Sequence, residues 1–128
     1  MSNDWQADIL EFQRAVGAHI EEAPTLPPRP VQGLRYDLVK EEMCELLTAI
    51  ADGDLVKIAD GIGDSIVVQL GTAISYGINM RPIWDEIHRT NMLKVSGPVR
   101  ADGKRLKPEN WTPPRIQELL VAQAKEAE

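Results

Sequence analysis

Apolar side chains recur along this chain at intervals of three and four far more often than in alternation, the spacing of one face of a helix. Trp5, Ile9, Phe12, Val16 and Ile20 form one such stripe and predict a first helix over about Asp4–Glu22. The Pro-rich run Ala23–Pro30 cannot continue it and reads as an extended arm. A second helix is predicted over about Val31–Ala51, ended by the turn Asp52-Gly53-Asp54, and a third over about Leu55–Tyr76, stopped by Gly77. Pro82 in a first turn opens a fourth, over about Arg81–Lys94. Gly97, Pro98, Gly103 and Pro108 mark Val95–Thr112 as a loop, and a small hairpin fits at Ala101-Asp102-Gly103. A last helix starts at Pro113-Pro114. The expected fold is an all-α antiparallel bundle of about five helices, a single domain over residues 1–128.

The third helix bears on assembly. Ser65–Ile74 carries no charge and is apolar almost all round. Such a helix needs neighbours on every side. A chain of 128 residues has few other long helices to supply them. A homodimer, or a tetramer of dimers, is expected to complete the bundle.

Composition narrows the function. Twenty Asp and Glu against fourteen Lys and Arg leave a formal charge of −6, which argues against nucleic-acid backbone binding through Lys and Arg. A single Cys cannot form an internal disulfide, the acidic start MSNDWQADILEF lacks a signal-peptide layout, and no run spans a bilayer. A soluble cytoplasmic protein with no membrane partner is expected.

The acids are where chemistry gathers. Glu41, Glu42 and Glu45 fall at roughly 0°, 100° and 40° around the second helix, an arc shared with Leu34, Leu38 and Ala49. The common reading of a Glu cluster is a solvated face. Here the positions four residues on hold Glu45, Leu46 and Ala49, so no Lys or Arg offsets the charge from there. Asp60 and Asp64 share a face of the third helix, at the entrance to its uncharged stretch. Counted from Gly53, Glu42 lies 11 residues back and Asp64 11 forward, while Glu45 lies 8 back and Asp60 7 forward. In an antiparallel hairpin these pairs come level, and a buried carboxylate cluster calls for a cation. With oxygen ligands only, that cation is expected to be Mg²⁺, with Mn²⁺ able to replace it. A di-iron bundle needs two Glu-x-x-His motifs, and only Asp85-x-x-His88 comes near.

RYDLVKEEMCELLTAI followed by IADGIGDSIVVQLGTAISYGI resembles the all-α nucleoside triphosphate pyrophosphohydrolases, the MazG-like and phosphoribosyl-ATP pyrophosphohydrolase-like group. IWDEIHRTNMLKV and DGKRLKPENWTPP are similar to a branch found in bacteria and phages. The resemblance implies Mg²⁺ held by the acids and hydrolysis between the α- and β-phosphates, giving a nucleoside monophosphate and pyrophosphate. The second acidic motif of that group is often Glu-x-x-Asp. Here Gly61 stands at the Glu position and Asp60 one residue earlier, which leaves open one metal or two and whether Asp60 is a ligand.

Glu41, Glu42 and Glu45 are the catalytic candidates, with Glu42 or Glu45 as general base, and Glu42, Glu45, Asp64 and Asp60 the metal candidates. Between Arg89 and Lys107 only Asp102 opposes six basic residues, so this segment is a source of positive charge for phosphates, although a solvated loop is as good a reading for any one of them. Arg35, Arg100 and Lys104 are phosphate candidates on charge. Asn91 and Lys94 join them because the resembled group has Asn-Met-x-Lys there. Trp5, Trp84 and Trp111 read as core or interface residues, and Cys44 as helix packing. Three functions compete: hydrolysis of a nucleoside or deoxynucleoside triphosphate, hydrolysis of phosphoribosyl-ATP, and a non-catalytic helical dimer that binds nucleotide or a partner protein.

Overall fold

The computed structural model describes residues 4–128. The chain runs through α1 (Trp5–Val16), α2 (Arg29–Asp52), α3 (Leu55–Ser75), α4 (Met80–Leu93) and α5 (Ile116–Glu126), with a short 3₁₀ turn at Lys94–Ser96. The all-α expectation holds. The one strand-like feature among the described residues is a bridge pairing Val99 with Arg105. No helix among them is long and apolar enough to cross a membrane. The residues up to Ile78 form one compact unit and Asn79–Glu126 a second.

In the first unit α2 and α3 make the most extensive helix contact, and α1 packs on α3. Asp54 caps α3 by accepting from the Lys57 backbone N–H at 3.2 Å, and Asp4 caps α1 by accepting from Ala7 N–H at 3.0 Å. The first helix is shorter than its apolar stripe predicts. It ends where Gly17 adopts φ +72°, and the Ala18 N–H turns back to the Gln13 carbonyl at 2.9 Å, the closing bond of a Schellman-type end.

Beyond that point the chain takes tertiary hydrogen bonds in place of helical ones. Glu21 N–H donates to Ile74 O at 3.3 Å and Thr25 N–H to Tyr76 O at 3.0 Å, satisfying carbonyls at the end of α3 that a helix leaves without partners. Gly77, at φ +71°, lets the chain leave α3 where Ala23 lies against its backbone, with no room for a Cβ. The Pro-rich arm is shorter than expected too, because Arg29 and Pro30 already form the first turn of α2.

α3 is the central helix, burying Gly61, Ser65, Val68, Gly71, Ala73, Ile74 and Ser75. Around the α2–α3 turn, large apolar side chains face outward: Leu47 is 62% exposed, Leu55 77% and Val56 80%.

In the second unit α4 turns Ile83, Glu86 and Thr90 inward. Asn79 caps it, and its backbone N–H and carbonyl both pair with the Gln123 side-chain amide at 2.9 Å, which ties α5 to the start of α4. The hairpin foreseen at Ala101–Gly103 forms: Arg100 N–H donates to Lys104 O and Leu106 N–H to Pro98 O, each at 2.7 Å.

Candidate active site

One stripe of α2, at three- and four-residue steps, meets one stripe of α3. Leu46 lies against Gly61: a Cβ built on the glycine would come 3.2 Å from Leu46 Cα. One turn earlier on α2 stands Glu42, in electrostatic contact with Asp64. Two turns earlier again stands Arg35, whose Nη2 donates to Val68 O at 2.8 Å and whose Nε donates to Thr72 Oγ1 at 3.2 Å. Each step back along α2 thus meets a step forward along α3, as an antiparallel hairpin requires.

The acids sit in the middle of this seam. Glu41, Glu45 and Asp60 are exposed, while Glu42 and Asp64 are half-buried. Glu42 Oε2 is fully covered and has no hydrogen-bond partner. Burial, then the charges of Glu45, Asp64 and Glu41, raise the Glu42 carboxyl above the usual carboxylate range, and a hydrogen bond with Glu45 adds to this. Glu45, Asp60 and Asp64 line one groove of about 440 Å³ together with Cys44, Thr48, Ala49, Asp52, Lys57 and Gly61.

Glu45, Asp60 and Asp64 share this groove without closing on a point: among the described residues no three His, Cys, Asp or Glu side chains are arranged to hold a metal ion. The donor set nonetheless suits a hard cation. It consists of carboxylates, and Glu42, in electrostatic contact with Glu45 and Asp64, carries an unpartnered covered oxygen that a cation would satisfy.

Gly61 explains the missing acid of the second motif. At that position α3 comes close to α2: a Cβ would stand 3.2 Å from Leu46 Cα, a tight contact that a larger side chain relieves only if the neighbouring helix gives by a few tenths of an ångström. The acid one residue earlier, Asp60, lines the groove from an exposed position instead.

The seam contains two features that the acidic motif does not show. Lys57 and Asp52 line the acid groove, and the signal for Lys57 was its spacing: residues 57, 60, 61 and 64 fall on one face of α3. Arg35 is the second. A phosphate candidate by its place before the acids, it has a buried guanidinium bonded inside the hairpin, and burial lowers its pKa. Gly71 makes the room, since a Cβ there would meet the Arg35 guanidinium and the Gln13 amide.

Of the phosphate candidates in the second unit, Lys94 Nζ donates to Asn91 Oδ1 at 3.1 Å at the end of α4. Arg100 is engaged locally, its Nε on Asp102 Oδ1 at 2.9 Å. That bond holds the Asp102 carboxyl below its usual range and raises the arginine. Lys104 is exposed, and its backbone N–H donates to Asp102 Oδ1 at 3.2 Å. Trp5 and Trp84 are each 58% exposed, so neither is a core residue of the single chain. Cys44 is exposed at the acid groove.

Comparison with known proteins bears on the family of the chain. A segment of 47 residues is 43% identical to an uncharacterized protein of Acanthamoeba polyphaga mimivirus; the match takes in 37% of this chain and 19% of that protein's length. The model of the phosphoribosyl-ATP pyrophosphohydrolase family matches residues 9–91, from within α1 through all of α2 and α3 and most of α4. The chain therefore belongs to the phosphoribosyl-ATP pyrophosphohydrolase family, enzymes that cleave phosphoanhydride bonds.

Proposed function

We propose that this protein hydrolyses a nucleoside or deoxynucleoside triphosphate between its α- and β-phosphates, releasing a nucleoside monophosphate and pyrophosphate, with Mg²⁺ as cofactor and Mn²⁺ able to replace it. The observation that carries the reading is the covered, unpartnered Glu42 Oε2 in a seam it shares with Glu45 and Asp64, inside the family-matched segment.

Glu42, Glu45 and Asp64 would hold the ion, with Asp60 at the exposed edge of the same groove. When bound, it would offset phosphate charge and make a water molecule more acidic. The rest falls to the side chains. A carboxylate oxygen of Glu42 or Glu45 not engaged by the ion would take the proton from the attacking water. Glu41, exposed on the same arc, adds to the negative field that Glu45 and Asp64 place on Glu42 and that a cation would offset. Asn91, Lys94 and Lys104 are the candidates for phosphate oxygens, whereas Arg35 serves to hold α2 on α3.

A homodimer, or a tetramer of dimers, accounts for the outward-facing Leu47, Leu55 and Val56, since apolar side chains in such number are normally covered. Sedimentation equilibrium showing a monomer at micromolar concentration would remove this part of the reading. The family description favours phosphoribosyl-ATP as a second substrate reading. Comparing kcat/KM across ribo- and deoxynucleoside triphosphates with that for phosphoribosyl-ATP decides between them: a triphosphate is expected to be the better substrate. Turnover of phosphoribosyl-ATP alone would transfer the assignment to it, and metal-dependent binding with no turnover of either would leave a nucleotide-binding module.

A further inference from the structure

In the second unit, most cations near the hairpin are already engaged. Arg89 and Arg115 both contact Glu86, Arg100 contacts Asp102, and Arg105 Nη1 donates to Gly97 O at 3.1 Å. Two lysines differ. Lys107 Nζ lies 4.3 Å and Lys94 Nζ 5.7 Å from the centroid of the Trp111 ring, and neither has a carboxylate partner among the described residues.

The indole that gathers them is fixed from several directions. Its Nε1 donates to Thr90 O at 3.0 Å, a carbonyl in the last turn of α4 and so without a helical partner of its own. The Trp111 backbone N–H donates to Pro108 O at 3.1 Å, and Pro108, Pro113 and Pro114 stiffen the segment on either side. The ring is therefore held before any ligand arrives. Its π face attracts ammonium groups, and the partial negative charge at the end of α4 favours Lys94 beside it.

Two ammonium groups brought to one ring without a counter-charge repel each other. An anion of charge −2 or more that contacts both offsets that repulsion. Ammonium groups are compact point charges with three donors each, suited to the oxygens of a phosphate more than to a planar two-oxygen contact. Asn91, already bonded to Lys94, adds an amide at the flank.

We propose that Trp111 is a positioning residue that holds Lys94 and Lys107 as a two-cation clamp for phosphate oxygens. The ligand class is a pyrophosphate or the phosphate chain of a nucleotide. The clamp lies beyond the family-matched segment, which ends at residue 91, and it rests on the proposed function only for the identity of its anion.

Inorganic pyrophosphate without divalent cation is the probe, titrated into Trp5→Phe/Trp84→Phe protein so that Trp111 is the sole indole. A saturable fluorescence change that weakens with added salt is expected, together with a loss of roughly tenfold in affinity for Lys94→Met and for Lys107→Met. By calorimetry on the otherwise unaltered chain, Trp111→Leu loses a similar factor although it removes no charge, and Trp111→Phe restores most of it. Should Trp111→Leu fail to fold by circular dichroism, Trp111→Phe and the two lysine variants carry the test. Pyrophosphate affinity unchanged in a folded Trp111→Leu, or in both lysine variants, overturns the clamp. Pyrophosphate binding that depends on all three residues upholds it even if no triphosphate is hydrolysed. Triphosphate hydrolysis with no such dependence sinks the clamp alone.

Discussion

Gly61 and Leu46 mark the closest approach of α2 and α3: a Cβ on the glycine would stand 3.2 Å from Leu46 Cα and 3.3 Å from its Cδ1. Gly61→Glu, which would restore the common form of the acidic motif, therefore has to be accommodated by a shift of Leu46 or of the helix that carries it. Overpacking of this kind costs about 1–3 kcal/mol. Urea unfolding should show a loss of that size with no tightening of Mg²⁺ binding. A variant as stable as the parent would mean that the helices separate freely.

Glu42 imposes a pH dependence whose sign follows from its environment. Burial and neighbouring acids raise its carboxyl in the folded state above the unfolded value. The folded protein then binds this proton more tightly than the unfolded chain, so stability falls as pH rises from the unfolded pKa of about 4.3 through the raised folded value. Glu86 and Asp102 act in the opposite sense. Their carboxyls are lowered by Arg89 and Arg100 and contribute stability that is lost in acid. The difference between parent and Glu42→Gln isolates the first effect. In metal-free buffer the variant should melt higher than the parent at pH 7 to 8, and the gain should vanish towards pH 4. A gain independent of pH would contradict the assignment.

A cation that binds only the folded acids must stabilise the fold by mass action, by about 2.7 kcal/mol at one hundred times its dissociation constant. Mg²⁺ should raise Tm in steps that follow the logarithm of its concentration, and EDTA should reverse this. Asp64→Asn and Glu42→Gln should blunt the response, because both face the covered Glu42 oxygen or carry it. An undiminished rise in both variants would place the cation elsewhere.

Much of this architecture can be read from punctuation and period. Pro28 and Pro30, the Asp52–Asp54 turn, Gly77 and Asn79 bound α2, α3 and α4 to within a residue or two of their expected limits. Counting from Gly53 sets Glu45 against Asp60, and both line one groove. Other features depend on contacts that no local window contains. Ala18–Glu22 fits a helical stripe, yet the carbonyls at the end of α3 capture this segment in extended form. Arg35 looks like a surface cation until the space left by Gly71 is known. The pairing of Trp111 with Thr90 O, 21 residues away, joins two segments that no helical period relates. The exposed Leu55 and Val56 lie outside the uncharged stretch Ser65–Ile74, most of which the single chain already covers, so the surface left for a second copy is not the one the charge pattern pointed to.

The central claim concerns which phosphoanhydride bond breaks and which acids break it. Phosphorus NMR of a deoxynucleoside triphosphate incubated with the protein and Mg²⁺ reads both. One monophosphate and one pyrophosphate should appear for each triphosphate consumed, and neither should form with Glu42→Gln. Diphosphate with orthophosphate, or full turnover by Glu42→Gln, would contradict the account.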